Sequence, residues 1–343
     1  MTTESRWLAD LVARVDAHLA AFFDARLAQA EATSPEARAL VAAVAELTLR
    51  GGKRLRPAAL YAGYAAVDPS ADLARVLEPA AALELLQSYL LIQDDWMDGD
   101  ERRRGGPSVH AAFAAEHGDA HLGASLAILA GDLASGFAWE LIARADFPKA
   151  RAAEALELFG RTHFEVLCGQ QLDLLHHPDV ALVHQLKTGS YTVRGPLLLG
   201  ALLGDASEAQ LSALQRFGEP LGLAFQLRDD LLGAFGDGGA VGKPIGNDLR
   251  AGKLTALVME ARERMSEAQR SRFEVAFGRA DASDAAVQDA TDALLASGAR
   301  ERVEARLDGL LASSRLALAD AELSARGKEM LEQLLLRIAK RQS

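Results

Sequence analysis

Apolar residues recur at spacings of three and four along almost the whole 343-residue chain, and this spacing is typical of helices that bury one face. Alanine and leucine dominate the composition and favour helix, whereas the alternating β-branched residues that predict strands are nearly absent. The clearest such stripe consists of Trp7, Leu8, Leu11, Val12, Val15, Leu19, Phe22 and Phe23. The sequence therefore predicts an all-α protein of about a dozen helices.

Short breaks separate the predicted helices, and none is long or polar enough to mark a domain boundary. Ser34-Pro35 and Asp68-Pro69 are interpreted as helix N-caps with proline in the first turn. The sequence shows neither a repeat of fixed period nor a low-complexity tract. We therefore expect residues 1–343 to form a single helical domain.

The charge balance restricts the class of partner. The chain has 37 Lys and Arg against 48 Asp and Glu, a net charge of −11, which argues against a general nucleic-acid binder. Cys168 is the only cysteine, so an intrachain disulfide and a multi-cysteine zinc site are excluded. The N-terminus does not resemble a signal peptide, and uninterrupted apolar runs such as 196–204 fall short of the ~20 residues of a membrane span. We expect a soluble, cytoplasmic protein.

A largely apolar segment, residues 83–93, runs directly into Asp94-Asp95-Trp96-Met97-Asp98-Gly99. Asp94 and Asp98 are four residues apart and share one helix face, and Gly99 is a candidate C-cap. Like charges at this spacing repel each other, and carboxylates at a helix C-terminus oppose the helix dipole. This arrangement indicates that something cationic compensates the carboxylates.

A second apolar helix, residues 220–227, ends in the same way, in Arg228-Asp229-Asp230. Two buried helices that each deliver paired carboxylates predict a shared site for a hard cation, and ligands that are all oxygen favour Mg²⁺. An EF-hand does not fit, because Trp96 and Gly105 would occupy ligand positions.

Basic segments lie where a polyanion bound to such a cation would need them. The glycine-led turn Gly51–Pro57 opens a helix, and a helix start with Lys and Arg side chains suits a phosphate group. Arg54 and Arg102 are interpreted as solvated surface charges. Packing or surface roles are assigned to His110, His163 and Cys168. The other candidate cations are Lys53, Arg56, Arg103, Arg104, Lys187, Lys243 and Lys253.

Together these segments resemble the motifs of the trans-type isoprenyl diphosphate synthases, the polyprenyl synthetases. The resemblance covers residues 51–255 in the order of the family, and five motifs in order are very specific. The segments that carry it are Gly51–Pro57, Asp94–Asp98 with Arg103-Arg104-Gly105, Lys187-Thr188, Phe225–Asp230, and Gly242–Leu249 with Gly252–Thr255.

The resemblance implies an all-α helical bundle around a central cavity, usually a homodimer, that uses three Mg²⁺ ions. Asp94 and Asp98 are implied to ligate Mg²⁺ from the first motif, with Asp95 supporting them. Asp229 is implied to ligate from the second motif, with Asp230 adjacent. The implied reaction joins isopentenyl diphosphate to an allylic diphosphate and releases pyrophosphate.

The resemblance also implies which residues hold the two substrates. Those implied to hold isopentenyl diphosphate are Lys53, Arg56, Gln87 and Arg104. Those implied to hold the allylic diphosphate are Arg103, Lys187, Lys243 and Lys253. Thr188 and Gln226 are implied to lie near the reacting carbons.

The second motif departs from the family pattern at Gly233, where a third Asp is usual. Asp237, eight residues beyond Asp229, is a candidate replacement if the helix continues that far. Asp229 and Asp230 remain, so we expect the activity to survive.

Tyr89 precedes Asp94 by five residues, about 7.5 Å along a helix. In the family, bulk at this position limits elongation of the product. Leu90 is smaller than the aromatic residue of many farnesyl-forming members, and the first motif lacks the two-residue insertion of many bacterial farnesyl enzymes. These features favour geranylgeranyl diphosphate (C20), with a farnesyl (C15) or longer product as the alternative.

Two other functions use part of the same pattern. A class I terpene cyclase also begins with an aspartate-rich helix end, but it needs no isopentenyl diphosphate site, so Lys53, Arg56 and Arg104 argue against it. A non-catalytic subunit that partners an active synthase is favoured only by Gly233.

Overall fold

A computed structural model describes residues 6–235 and 247–340, and nearly all the regular structure in these ranges is helical. The all-α prediction is confirmed, with sixteen α-helices in the described ranges rather than about a dozen. The difference comes mainly from short helices in the C-terminal third. The helices are α1 (Arg6–Glu31), α2 (Pro35–Leu49), α3 (Leu55–Val67), α4 (Leu77–Asp98), α5 (Val109–His117), α6 (Ala120–Arg144), α7 (Lys149–Leu174), α8 (Val180–His184), α9 (Gly195–Leu203), α10 (Glu208–Phe235), α11 (Asn247–Arg250), α12 (Ala256–Arg262), α13 (Glu267–Glu274), α14 (Asp284–Ala296), α15 (Ala299–Ala319) and α16 (Ala325–Ala339).

Three smaller elements matter for the site. A 3₁₀ turn (Leu73–Val76) leads into α4, and a π-helical segment (Gln185–Arg194) joins α8 to α9 without a break. Two short antiparallel strands, β1 (Arg102–Arg103) and β2 (Gly106–Pro107), form a ribbon after α4. The ribbon turns the chain back beside the acidic end of α4.

The predicted caps are partly confirmed. The Ser34 hydroxyl accepts a hydrogen bond from the Ala37 amide, and Gly99 ends α4 in the left-handed conformation. Asp68 is wrong as an N-cap. It ends α3, and its carboxylate accepts hydrogen bonds from the amide and hydroxyl of Ser70, which closes a turn instead of starting a helix.

A continuous cluster of buried apolar side chains reaches from Leu11 on α1 to Ile338 on α16. Helix α4 is buried on every side from Pro79 to Ser88, so it runs through the interior of the molecule. The single-domain organisation stays a prediction, which this continuous core supports.

Helices α3 and α9 cross with their backbones in contact. A Cβ atom at Gly200 would lie 1.9 Å from the Leu60 carbonyl oxygen, and one at Gly63 would lie 2.1 Å from the Leu197 carbonyl oxygen. Only glycine permits so close an approach. The contact fixes the start of α3 against the π-helical segment that leads into α9.

Helix α6 differs from the expectation that the apolar stretches of the chain are too short to span a membrane. Among the described residues it is the single helix long and apolar enough to cross a membrane, with a mean hydropathy of 1.5 over its best window. Its small residues, including Ala130 and Ala134, are buried, and the helix packs against α4. Leu122, Ile128 and Leu129 are exposed, and only 39 % of the window is buried, so much of its apolar surface is left uncovered.

Candidate active site

The three aspartates at the end of α4 have different partners. Asp98 accepts a hydrogen bond from Lys253 Nζ at 2.6 Å, and Asp94 accepts one from Lys187 Nζ at 3.2 Å. Asp95 is fully buried and accepts from the Arg103 guanidinium of the β-ribbon, whose Nε lies at 2.6 Å. Asp94 and Asp98 thus face two lysines, while Asp95 holds the ribbon against the helix.

The π-helical segment supplies Lys187. Its ammonium group also donates to Asp173 of α7 at 2.6 Å, so it bridges carboxylates from two helices. Burial alone would lower the pKa of Lys187, but Asp94 and Asp173 outweigh it and raise the pKa. The sequence reasoning missed Asp173, although a lone aspartate near the end of a long amphipathic helix was a usable signal.

Lys253 lies between α11 and α12 and reaches the same carboxylates. Burial opposes its charge, but Asp98, Asp94 and Asp248 raise its pKa above the ordinary value. Both lysines therefore stay protonated at neutral pH. They are the cationic compensation that two carboxylates at a helix C-terminus require.

The second acidic cluster is divided in a similar way. Asp230 is buried; it accepts hydrogen bonds from Gln226 Nε2 at 2.8 Å and from the Ala256 amide at 3.2 Å, and His184 Nε2 lies 3.6 Å away. Burial raises the pKa of Asp230. Asp229 is only partly buried. Asp230, held by Gln226 of the same helix, thus ties α10 to the start of α12, and Asp229 is the more accessible member of the pair.

Asp248 stands beside Gly233. A Cβ atom at Gly233 would lie 3.2 Å from Asp248 Oδ2. The charge of Asp248 also raises the pKa values of Lys253 and Asp230, so its carboxylate lies near both. Asp237 and Lys243 lie outside the described residues.

A second group of cations forms around the start of α3. Arg56 donates to the Thr192 hydroxyl at 3.0 Å and lies over the Tyr191 ring, 4.2 Å from its centroid. Tyr191 in turn donates to Gln87 Oε1 at 2.9 Å. Tyr191 and Thr192 belong to the π-helical segment that carries Lys187 and Thr188, so a single element supports both cationic groups.

Arg104 completes this second group. Its Nη1 donates to the Leu47 carbonyl at 3.3 Å, and a Cβ atom at Gly52 would lie 3.4 Å from its Nη2. Burial lowers the pKa of Arg104; Glu84 offsets part of this, while Arg54, Arg56 and Arg103 lower it further. Lys53 lies on the exposed turn that precedes α3. Crowded, partly desolvated guanidinium groups of this kind suit a compact anion such as a diphosphate.

The interpretation of Arg54 as a surface charge is wrong. Its side chain is fully buried and pairs with Glu84 of α4 and Asp16 of α1. Both partners are distant in sequence, so local patterns could not reveal them. Arg102 is exposed, as expected.

Tyr89 lies one and a half turns before the first acidic cluster and is half-buried. Its ring packs edge-on against His163 of α7, with centroids 5.2 Å apart, and His163 lies beside Trp139 of α6 at 6.2 Å. Burial lowers the pKa of His163, so the imidazole is neutral at neutral pH. These three rings form an aromatic layer beyond the carboxylates.

The described residues contain no group of three or more His, Cys, Asp or Glu side chains that could hold a metal ion alone. The two carboxylates of Asp94 and Asp98 nevertheless offer only oxygen ligands, and Asp229 remains partly accessible. Mg²⁺ is typically bound by one or two carboxylates together with substrate phosphates and water. The donor set therefore fits Mg²⁺ that binds jointly with a phosphorylated substrate.

Comparison with known proteins gives a consistent result. Residues 37–294 match the family model of polyprenyl synthetases. A short chain isoprenyl diphosphate synthase of Methanocaldococcus jannaschii is 34 % identical over 254 residues, 72 % of this chain and 74 % of that protein. A farnesyl diphosphate synthase of Escherichia coli is 38 % identical over 221 residues, 60 % of this chain and 70 % of that protein.

The fold also matches solved structures. A geranylgeranyl pyrophosphate synthase from Corynebacterium glutamicum, crystallised with isoprenyl diphosphate and magnesium, superposes with a TM-score of 0.92. It is 34 % identical, and the match covers 98 % of this chain and 99 % of that chain.

The two neighbouring aspartates of α10 should respond differently to removal. Asp230→Ala would leave the buried Ala256 amide without its acceptor, so we expect it to lower the free energy of unfolding by about 1–3 kcal/mol. Asp229→Ala should lower it by less than about 1 kcal/mol, because the side chain is partly exposed. Urea denaturation followed by circular dichroism measures both, and equal losses would contradict the division of roles.

Proposed function

The chain belongs to the polyprenyl synthetase family, and from this premise we propose that it is an all-trans prenyltransferase. It joins isopentenyl diphosphate to an allylic diphosphate and releases pyrophosphate. The observation that carries the proposal is the presence of two cationic groups that both contact one π-helical segment. Lys187 and Lys253 face Asp94 and Asp98, whereas Arg56 and Arg104 lie around the start of α3. Two diphosphate substrates require two such places, and a terpene cyclase requires one.

The allylic diphosphate binds at the acidic end of α4, where Asp94, Asp98 and Asp229 would hold Mg²⁺, with three ions as the expected number. Mg²⁺ bound there neutralises the negative charge that grows on the departing pyrophosphate. Lys187 and Lys253 contribute to the same stabilisation, because their ammonium groups already point at this region. Arg103 and Lys243 are assigned to the same diphosphate, and Thr188 and Gln226 to the vicinity of the reacting carbons.

Isopentenyl diphosphate binds at the second group of cations. Lys53, Arg56, Gln87 and Arg104 hold its diphosphate and so present its double bond to the allylic carbon, which is a proximity effect. The hydrogen bond from Tyr191 to Gln87 and the contact of the Tyr191 ring with Arg56 keep two of these groups oriented. The departing pyrophosphate is assigned the proton that is lost when the new alkene forms.

Asp248, which belongs to the segment Gly242–Leu249 of the family pattern, is proposed to compensate in part for the carboxylate that the second motif lacks at Gly233. Its Oδ2 lies 3.2 Å from the point where a Cβ atom at Gly233 would stand, so a carboxylate occupies that region in spite of the substitution. Asp237, the candidate that sequence spacing suggested, lies outside the described residues.

Product length is proposed to depend on the aromatic layer of Tyr89, His163 and Trp139, because bulk at Tyr89 would stop a growing chain. The geranylgeranyl (C20) product is the one we propose, and the C. glutamicum neighbour of high structural similarity carries that name. A farnesyl product is the alternative.

The enzyme is proposed to be a homodimer that acts in the cytoplasm. The exposed apolar face of α6, with Leu122, Ile128 and Leu129, supports the dimer, since apolar patches of this kind on enzymes commonly mark subunit interfaces. A second copy that covers this face would give the helix the burial that one chain does not provide.

The activity is tested by incubating the protein and Mg²⁺ with labelled isopentenyl diphosphate and a C5, C10 or C15 allylic diphosphate, then analysing the products. We expect labelled prenyl diphosphate from the wild type and a loss of about 10²-fold or more in Asp94→Ala, which removes a carboxylate from the reacting region. Glu101→Ala, on the exposed chain just after α4, serves as the control. Hydrocarbon from an allylic diphosphate alone would indicate a cyclase, and no product from any starter would indicate a non-catalytic subunit.

Asp248→Asn should weaken Mg²⁺ binding in the presence of pyrophosphate by about tenfold, because it removes a carboxylate next to the metal-binding region. The double variant Asp248→Asn with Gly233→Asp should recover most of the affinity, since it returns a carboxylate from α10. Isothermal titration calorimetry measures both. An unchanged affinity in the single variant would show that Asp248 does not replace the missing aspartate.

Tyr89→Ala should shift the product to longer chains, because it opens the aromatic layer against His163. Tyr89→Phe is the matched control, which keeps the ring and removes only the hydroxyl group. Chromatography of the dephosphorylated products gives the chain lengths. The same product spectrum from both variants would remove Tyr89 from the control of chain length.

A further inference from the structure

We propose that Arg54 and Asp16 are positioning residues for isopentenyl diphosphate, although neither touches the substrate. They form a buried anchor, defined as Arg54 with its partners Asp16, Glu84 and Thr48, that sets the turn between Gly52 and Arg56. The inference rests on the proposed function, because it concerns the cationic group assigned there to isopentenyl diphosphate.

The Arg54 side chain is satisfied from three helices. Its Nε donates to Asp16 Oδ1 of α1 at 2.8 Å, and its Nη2 lies 2.7 Å from the same oxygen. Its Nη1 donates to Glu84 of α4, and its Nη2 donates to the Thr48 carbonyl of α2 at 3.1 Å. Burial alone would lower the pKa of Arg54, but Glu84 and Asp16 raise it, so the guanidinium is firmly charged inside the protein.

The backbone of Arg54 adopts a conformation that needs such support. Its φ of 46° and ψ of 40° are left-handed, which is unfavourable for a residue with a Cβ atom, and no side-chain hydrogen bond caps the start of α3. Lys53 and Arg56 lie on either side of this residue. The direction in which both leave the turn therefore depends on the bonds that hold Arg54.

The anchor is also continuous with Arg104. A Cβ atom at Gly52 would lie 3.4 Å from Arg104 Nη2 and 4.0 Å from Arg54 Nη1, so the two guanidinium groups flank the same glycine. The charge of Arg54 lowers the pKa of Arg104, and Glu84 raises it. Loss of the Asp16 carboxylate would leave Arg54 with less compensation and so make the surroundings of Arg104 more positive.

Asp16 is the best residue for a test, because its side chain is 41 % exposed, Glu84 still compensates Arg54 in its absence, and alanine favours helix; circular dichroism checks that the variant folds. We expect Asp16→Ala to raise the KM for isopentenyl diphosphate about tenfold. A shift of about 1 Å in the side chains that hold a substrate can have an effect of this size or larger. The KM for the allylic diphosphate and kcat should stay within about twofold, because Lys187 and Lys253 lie at the other cationic group. Asp16→Asn, which keeps an acceptor oxygen, should have a KM for isopentenyl diphosphate between those of the wild type and Asp16→Ala.

Asp24→Ala, at an exposed position eight residues further along α1, is the matched control and should leave both KM values unchanged. Calorimetric binding of isopentenyl diphosphate provides a second readout that does not require turnover. If the wild type does not bind this substrate, the proposed function fails together with the anchor. If the wild type binds it and Asp16→Ala binds it equally well, or if both KM values rise together, only the anchor is overturned.

Discussion

The organisation of this site depends on an electrostatic conflict at the end of α4. Asp94 and Asp98 share one face of a helix C-terminus, where they repel each other and oppose the helix dipole. The fold answers with ammonium groups from two other elements, Lys187 of the π-helical segment and Lys253 before α12. Both lysines need carboxylates as partners in turn, so three regions far apart in sequence are held at one place.

The start of α3 presents the opposite situation. Arg54, Arg56 and Arg104 are crowded together, and within this group Glu84 and Asp16 compensate mainly Arg54. Arg56 lies over an aromatic ring, and Arg104 donates to a backbone carbonyl. An excess of positive charge in a partly desolvated region is unfavourable until an anion binds. The acidic end of α4, in contrast, is balanced by lysines, one of which contacts two carboxylates. This end is thus balanced by internal ion pairs, whereas the start of α3 keeps an excess of positive charge.

Much of this molecule could be read from sequence because the signals are local. Apolar spacing predicted the helical class, and residue type predicted Ser34 as an N-cap and Gly99 as a C-cap. Arg54 could not be interpreted correctly, because its partners Asp16 and Glu84 come from other elements. Asp68 was assigned to the wrong cap because its carboxylate closes a short turn, and Asp173 was missed because its partner Lys187 belongs to another element. The separate environments of Asp229 and Asp230 are likewise tertiary, since Asp229 is only partly buried and Asp230 accepts from the first amide of α12. The roles assigned to the site residues stay predictions.

The ten-residue π-helical segment has a consequence for how the chain can vary. Lys187 near its start donates to Asp94, while Tyr191 and Thr192 further along contact Arg56. Removing one residue between them would rotate the later side chains about the helix axis relative to the earlier ones. A deletion within the segment would therefore disturb the Asp94 and Arg56 contacts together, whereas a single substitution would change only one of them.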